Sequence, residues 1–199
     1  RPAQPPAQRP AAQPAQRPAQ RPAAMTAHRE KSIELSIGGG VMYMDGLLLD
    51  AVNAGLGNTS DASRIYPGGT VRLGYNFTRN LGVSVGSSLG TGSGVTLINP
   101  LAALTYTFDI NKKTSPFVTV GGQLLRVTGQ NSQRVTSKYG GHAGIGVRHM
   151  VGENLAVRVE GRMQYDKFEE STDPTYNSWG MLGISYFAGG GPPRDTDAD

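Results

Sequence analysis

The sequence predicts an all-β protein: an eight-stranded, antiparallel, up-and-down transmembrane β-barrel, preceded by a disordered or extended Pro-rich arm. Three observations predict it. From Ile33 to Phe187 apolar residues alternate with polar or small ones, in segments of about ten residues. The connections between segments are short and long in turn, and aromatic residues gather near the segment ends. A period of two puts successive side chains on opposite faces of a strand, so one face meets an oily phase and the other a polar one.

The clearest segment is Leu155–Tyr165, whose odd positions read Leu, Val, Val, Gly, Met, Tyr and whose even positions read Ala, Arg, Glu, Arg, Gln. Seven further segments follow the same rule. Ser32–Met44 sets Ile33, Leu35, Ile37, Val41 and Tyr43 against Glu34, Ser36, Gly38, Gly40 and Met42. Tyr66–Phe77 sets Val71, Leu73, Tyr75 and Phe77 against Arg72, Gly74 and Asn76. Leu81–Leu89, Leu97–Phe108, Pro116–Arg126, Tyr139–His149 and Ser178–Phe187 complete the set. Thr78–Asn80, Asp109–Ser115 and Met150–Asn154 read as short turns. Asp45–Ile65, Val127–Lys138 and Asp166–Asn177 read as longer loops, and Gly90–Gly94 as a tight hairpin on the loop side. Tight turns on one side and longer loops on the other are the outer-membrane pattern.

A soluble barrel would also alternate, with its apolar face inside. Three features turn the apolar face outward. The opposite face is rich in Gly, Ser, Thr and Ala, which suit a narrow lumen. It also carries the charges Glu34, Arg72, Arg148, Arg158, Glu160 and Arg162. Finally, Tyr75, Phe77, Tyr106, Phe108, Tyr186 and Phe187 fall at the short-turn end, and Tyr43, Tyr66, Tyr165 and Trp179 at the other. Amphipathic rings favour the head-group level, so two girdles are expected of a membrane barrel.

Composition narrows the function. The 199 residues include 28 Gly, 13 Pro and no Cys, which excludes disulfides, thiolate metal sites and a Cys nucleophile. Mean hydropathy is −0.34, and no apolar run is long enough for a membrane helix. The chain starts at Arg1 without an apolar signal segment, as expected of a mature, processed polypeptide. Residues 1–31 hold six of the 19 basic groups and one acid, leaving 13 basic and 14 acidic residues for the rest. The net charge of +4 therefore belongs to the arm, and a nucleic-acid partner is not expected.

Three regions are expected: 1–31, a Pro/Ala/Gln/Arg-rich arm; 32–187, the barrel; and 188–199, a Gly/Pro linker opening an Asp-rich segment. The arm repeats Arg-Pro-Ala-Gln units and cannot bury enough apolar surface to order itself. It reads either as a spacer or as a basic arm docking on an anionic surface or protein partner. In the tail, Asp195, Asp197 and Asp199 sit at every second residue, half of a calcium loop; the alternative is a plain acidic terminus. The lumen charges read as a salt-bridge network sealing the barrel, or else as the lining of a narrow ion path. For lipid-modifying chemistry, His28, His142 and His149 are the available bases, and none has a nucleophile at a recognisable spacing.

Gly74-Tyr75-Asn76-Phe77-Thr78-Arg79-Asn80-Leu81-Gly82-Val83 resembles the hairpins of the outer membrane protein A-like β-barrel superfamily. So do Gly144–Arg148 followed by Glu153–Glu160, and the closing Leu182-Gly183-Ile184-Ser185-Tyr186-Phe187. The resemblance covers residues 32–187. It implies an outer-membrane barrel in lipid and lipopolysaccharide with both ends in the periplasm. It also implies a structural, non-enzymatic anchor, tied to peptidoglycan through a further domain after Asp199, with a calcium-binding, thrombospondin type 3-like repeat between them. The other reading is a binding or assembly module working through its arm or external loops.

Overall fold

The computed structural model describes residues 30–47, 49–50, 64–109, 112–129, 134–168 and 173–190. Most of the arm, and the tail with Asp195, Asp197 and Asp199, lie outside the described residues.

The alternating segments form strands β1 (Ser32–Tyr43), β2 (Ile65–Asn76), β3 (Leu81–Gly92), β4 (Val95–Thr107), β5 (Thr114–Gln123), β6 (Arg126–Thr128), β7 (Arg134–Met150), β8 (Leu155–Phe168) and β9 (Thr175–Gly189). All pairings are antiparallel between neighbours, and β1 pairs with β9 to close the sheet. β5 and β6 share the place between β4 and β7, so nine strands make eight staves. Closure removes every free strand edge, which a sheet in hydrocarbon requires. The register Ser32↔Gly189 puts both barrel termini at one end. The turns 76–81, 107–114 and 150–155 share that end, hereafter the turn end; the opposite one is the loop end.

The division of the fifth stave corrects the single segment expected over Pro116–Arg126, and its cause is Pro100 in the middle of β4. Leu124 donates its N–H to the Pro100 carbonyl at 3.0 Å. The reciprocal bond cannot form because proline has no N–H. Asn99 replaces it, donating from Nδ2 to the Leu124 carbonyl at 3.2 Å. On the other flank β7 carries a bulge between Ser137 and Tyr139. There Leu125 N–H turns to the Ser137 hydroxyl at 2.7 Å, and Ser137 N–H bonds the Leu125 carbonyl at 2.8 Å. The tight hairpin between β3 and β4 holds Ser93 at φ 48° and Gly94 at φ 73°, the positive pair that a two-residue turn matching strand twist needs.

Burial alternates strictly along β4, from Val95 inward to Thr107 inward. Outside lie Ile37, Val71, Val85, Val120, Ile145 and Leu182 among many exposed apolar side chains. The interior is less uniformly polar than the sequence suggests. Its loop half holds an apolar cluster of Met42, Met44, Tyr66, Val95, Leu97, Leu125, Val127, Phe168, Trp179 and Met181, with Leu49 packed against it. Met150, Ala156 and Phe187 form a smaller cluster at the turn end.

Candidate functional site

Between these two apolar clusters the lumen carries its charges. Glu34 on β1 accepts two bonds from Arg148 Nη2 on β7, both 3.0 Å, and one from Arg158 Nη1 on β8 at 3.3 Å. Arg158 also binds Glu160, with Nη2 to Oε2 at 2.6 Å. Glu160 accepts Arg72 of β2 through Nη1 at 2.9 Å and Nη2 at 3.1 Å. Arg162 lies 3.4 Å from the same carboxylate. The six residues that the alternation puts on the inward face thus meet in one connected layer, with Arg158 joining its two carboxylates.

Neutral groups complete the layer. Ser36 donates to Glu34 at 3.0 Å and shares a 2.8 Å bond with Ser185. The Arg158 guanidinium stands 4.3 Å from the Phe117 ring centre, and Arg148 lies 5.4 and 5.3 Å from the Phe117 and Phe187 rings. Such contacts favour a desolvated cation. A space of about 20 Å³ beside Ser36, Thr70, Arg72 and Arg158 has room for about one water molecule. Towards the loop end, Asp166 accepts Gln123 Nε2 at 3.1 Å on each oxygen and Asn177 Nδ2 at 3.3 Å. Phe117, Ser185 and the Asp166 cluster were not singled out from the sequence, although alternation puts each of them inward; Phe187, expected with Tyr186 in the short-turn band, is buried in the lumen instead.

The aromatic residues need one correction. Tyr43, Tyr75, Phe77, Tyr106, Phe108 and Tyr186 point outward and are exposed, and Tyr165 points outward half-buried. Tyr66 and Trp179, expected in the loop-side girdle, are 0 % and 2 % exposed and belong to the luminal cluster. Tyr139 and Tyr176 take their place outside, Tyr176 meeting Tyr165 edge-on at 5.7 Å. At the turn end, Tyr75–Phe77 and Tyr106–Phe108 pair edge-on at 5.1 and 4.9 Å. Tyr176 and Tyr186 are ten residues apart on β9, about 33 Å along the strand. At a usual barrel tilt that spans about 25 Å, the height of an outer-membrane apolar band.

Of the histidines, His142 is buried in the lumen. His149 lies at the turn end with its Nδ1 2.6 Å from the Thr114 hydroxyl. Among the described residues no carboxylate bonds that imidazole, so the pair lacks the third member of a catalytic triad. His28 lies outside the described residues.

Solved structures share this architecture. Neisserial surface protein A matches at a TM-score of 0.59 and 14% identity, over 78% of this chain and 96% of its own. The N-terminal β-barrel domain of OprF from Pseudomonas aeruginosa matches at 0.55 and 17%, over 80% and 99%. OprG from the same organism matches at 0.50 and 12%, over 81% and 97%. No curated protein sequence matches the chain. The family model described as "Outer membrane protein beta-barrel domain" matches residues 29–186. With its closed eight-stave barrel, outward apolar face and two aromatic bands, the chain belongs to the outer membrane protein β-barrel family.

Proposed function

We propose that the chain is a structural, non-catalytic anchor of the bacterial outer membrane. Its turn end and both tails would face the periplasm, and in the native polypeptide a following domain would tie the membrane to peptidoglycan. The observation that carries the reading is the filled lumen together with the two barrel ends on one side. A barrel closed by an apolar cluster and an ion-pair layer offers hold rather than passage. Termini on one side leave the chain free to continue into one compartment. Gly189 at φ 74° and Gly190 at φ 69° begin the Gly/Pro linker, and the Asp195, Asp197, Asp199 spacing supports a calcium-type repeat opening beyond it. The test is retention on purified peptidoglycan sacculi. The native polypeptide should stay with sacculi after detergent extraction, and a version ending at Gly190 should not. Equal release of both would refute the tether.

A docking reading draws on the loop end. Arg126 and Arg134 are exposed on the paired strands β6 and β7, above the outward Tyr139. Cations above an aromatic band suit phosphates of outer-leaflet lipopolysaccharide. Arg126→Gln with Arg134→Gln should weaken binding to lipid A vesicles but not to neutral ones. The basic arm is a second docking candidate. Deleting residues 1–24 should leave membrane insertion intact and release any partner that copurifies through it.

A further inference from the structure

A groove of about 690 Å³ lies on the outward face where β5 meets β7. Its rim is tall and its floor is low. Ile145 and Met163, 71 % and 62 % exposed, are the most exposed large apolar side chains among the described residues. Beside them stand only Ala143 and Gly161, and a Cβ added at Gly161 would meet nothing within 4 Å. Leu104 and Tyr106 close the groove on the β4 side.

Followed down the same strand pair, the groove leads over Pro116 and Val147 to Thr114 and His149, register partners at the turn end. Both are exposed, and the Thr114 hydroxyl lies 2.6 Å from His149 Nδ1. Whichever group donates in that bond, one donor is left to offer. It is the Thr114 O–H if the imidazole donates through Nδ1, and the His149 Nε2–H if the imidazole accepts. The turn leading into Thr114 carries the exposed Lys112 and Lys113 against Asp109, which pairs with Lys112 at 3.2 Å. A hydrogen-bond donor and surplus positive charge thus sit at the foot of an apolar groove. Val120, on the groove wall, is six residues from Thr114, about 20 Å along the strand. At a usual barrel tilt that is about 15 Å of depth, half of a bilayer core.

We propose that this face binds one glycerophospholipid of the leaflet at the turn end, its phosphate at Thr114, His149 and Lys113 and one acyl chain over Ala143 and Gly161. Width decides against bulkier occupants. Successive outward side chains of a strand are two residues, about 7 Å, apart, whereas a helix with its side chains is about 10–12 Å across. A second barrel, convex as this one is, would rest on Ile145 and Met163 without reaching the floor. The site follows from the lipid-facing surface alone and holds whichever compartment the turn end faces.

The full chain, folded in detergent, is titrated with palmitoyl-oleoyl-phosphatidylglycerol, and retained lipid is counted by native mass spectrometry. Saturable retention of one lipid is expected. Gly161→Leu fills the floor and should weaken retention about tenfold, the usual cost of an overfilled site. Ala143→Leu does the same and covers the case in which Gly161→Leu does not fold, as judged by heat-modifiable migration. Thr114→Val with His149→Phe should also weaken it about tenfold, as loss of one charge-assisted hydrogen bond predicts. Gly39→Leu, an outward change on β1, three staves from β7, should leave retention as it was. Absent retention, a lipid count that keeps rising with concentration, equal retention in the groove-filling variants, or an equal loss in Gly39→Leu overturns the proposal.

Discussion

Arg72 and Glu160 join strands on different sides of the barrel through two near-parallel hydrogen bonds of 2.9 and 3.1 Å. β2 and β8 are separated by β1 and β9 along the sheet, so the pair braces the wall across the lumen. Glu160 is the hub, since Arg158 and Arg162 converge on the same carboxylate. Buried ion pairs return little net stability against hydrophobic replacements, but breaking one leaves an exposed deficit of charge in a dry interior.

Removing the hub should therefore cost far more than removing a spoke. Glu160→Gln leaves Arg72 and Arg162 without a carboxylate and Arg158 with Glu34 alone, and is expected to lose about 3–5 kcal/mol. Arg72→Met leaves Glu160 with Arg158 and Arg162, relieves a cation surplus, and should cost about 0–2 kcal/mol. Equilibrium urea unfolding in lipid vesicles measures both. Equal losses would mean that charge balance does not govern this layer.

The fifth stave offers a test of backbone satisfaction. Asn99 Nδ2 serves the Leu124 carbonyl that Pro100 cannot. Asn99→Ala should cost about 1–3 kcal/mol, the usual penalty for an unsatisfied buried acceptor. With Pro100→Ala already in place, an N–H is restored and the same Asn99 change should cost less. Additive effects in that double-mutant cycle would count against the substitution of one donor for the other.

Much of this was legible from parity alone. In β2 the odd residues Val71, Leu73 and Tyr75 face out, so the even positions, Arg72, Gly74 and Tyr66, face in. In β9 the even residues Leu182, Ile184 and Tyr186 face out, which turns Trp179 and Phe187 inward. The charged residues on the inward side follow from the same rule. Reading Tyr66 and Trp179 as girdle residues followed their chemistry and position near a strand end, and ignored their parity. Other features could not be read along one strand. The loop half of the lumen is apolar, so contrast between faces fades there, as at Met42 and Phe168. Which arginine meets which glutamate depends on side chains reaching across the barrel, and the split of the fifth stave depends on a proline in its neighbour.

The inward placement of Trp179 makes a spectroscopic prediction. In vesicles of acyl-chain-brominated lipid, its emission should be only weakly quenched. A reporter moved to the outer face, Tyr106→Trp in a Trp179→Phe background, should be strongly quenched, because Tyr106 is exposed on that face. Quenching of Trp179 as strong as that of the relocated reporter would return it to the girdle.

If the lumen is sealed as proposed, two barriers lie in series along it, and each should hold without the other. The apolar cluster around Leu97, Phe168 and Trp179 occupies the loop half, and the Glu34–Arg158–Glu160 layer occupies the middle. Phe168→Ala with Trp179→Ala should cost stability, at about 3–5 kcal/mol per large side chain. It should still show no steady openings in planar bilayers, because the charge layer is untouched. Adding Arg72→Ala and Arg158→Ala should permit conductance in barrels that still migrate as folded protein. Steady openings from the unaltered barrel, or from the apolar double variant alone, would sink the two-barrier account and favour an ion path along the arginines.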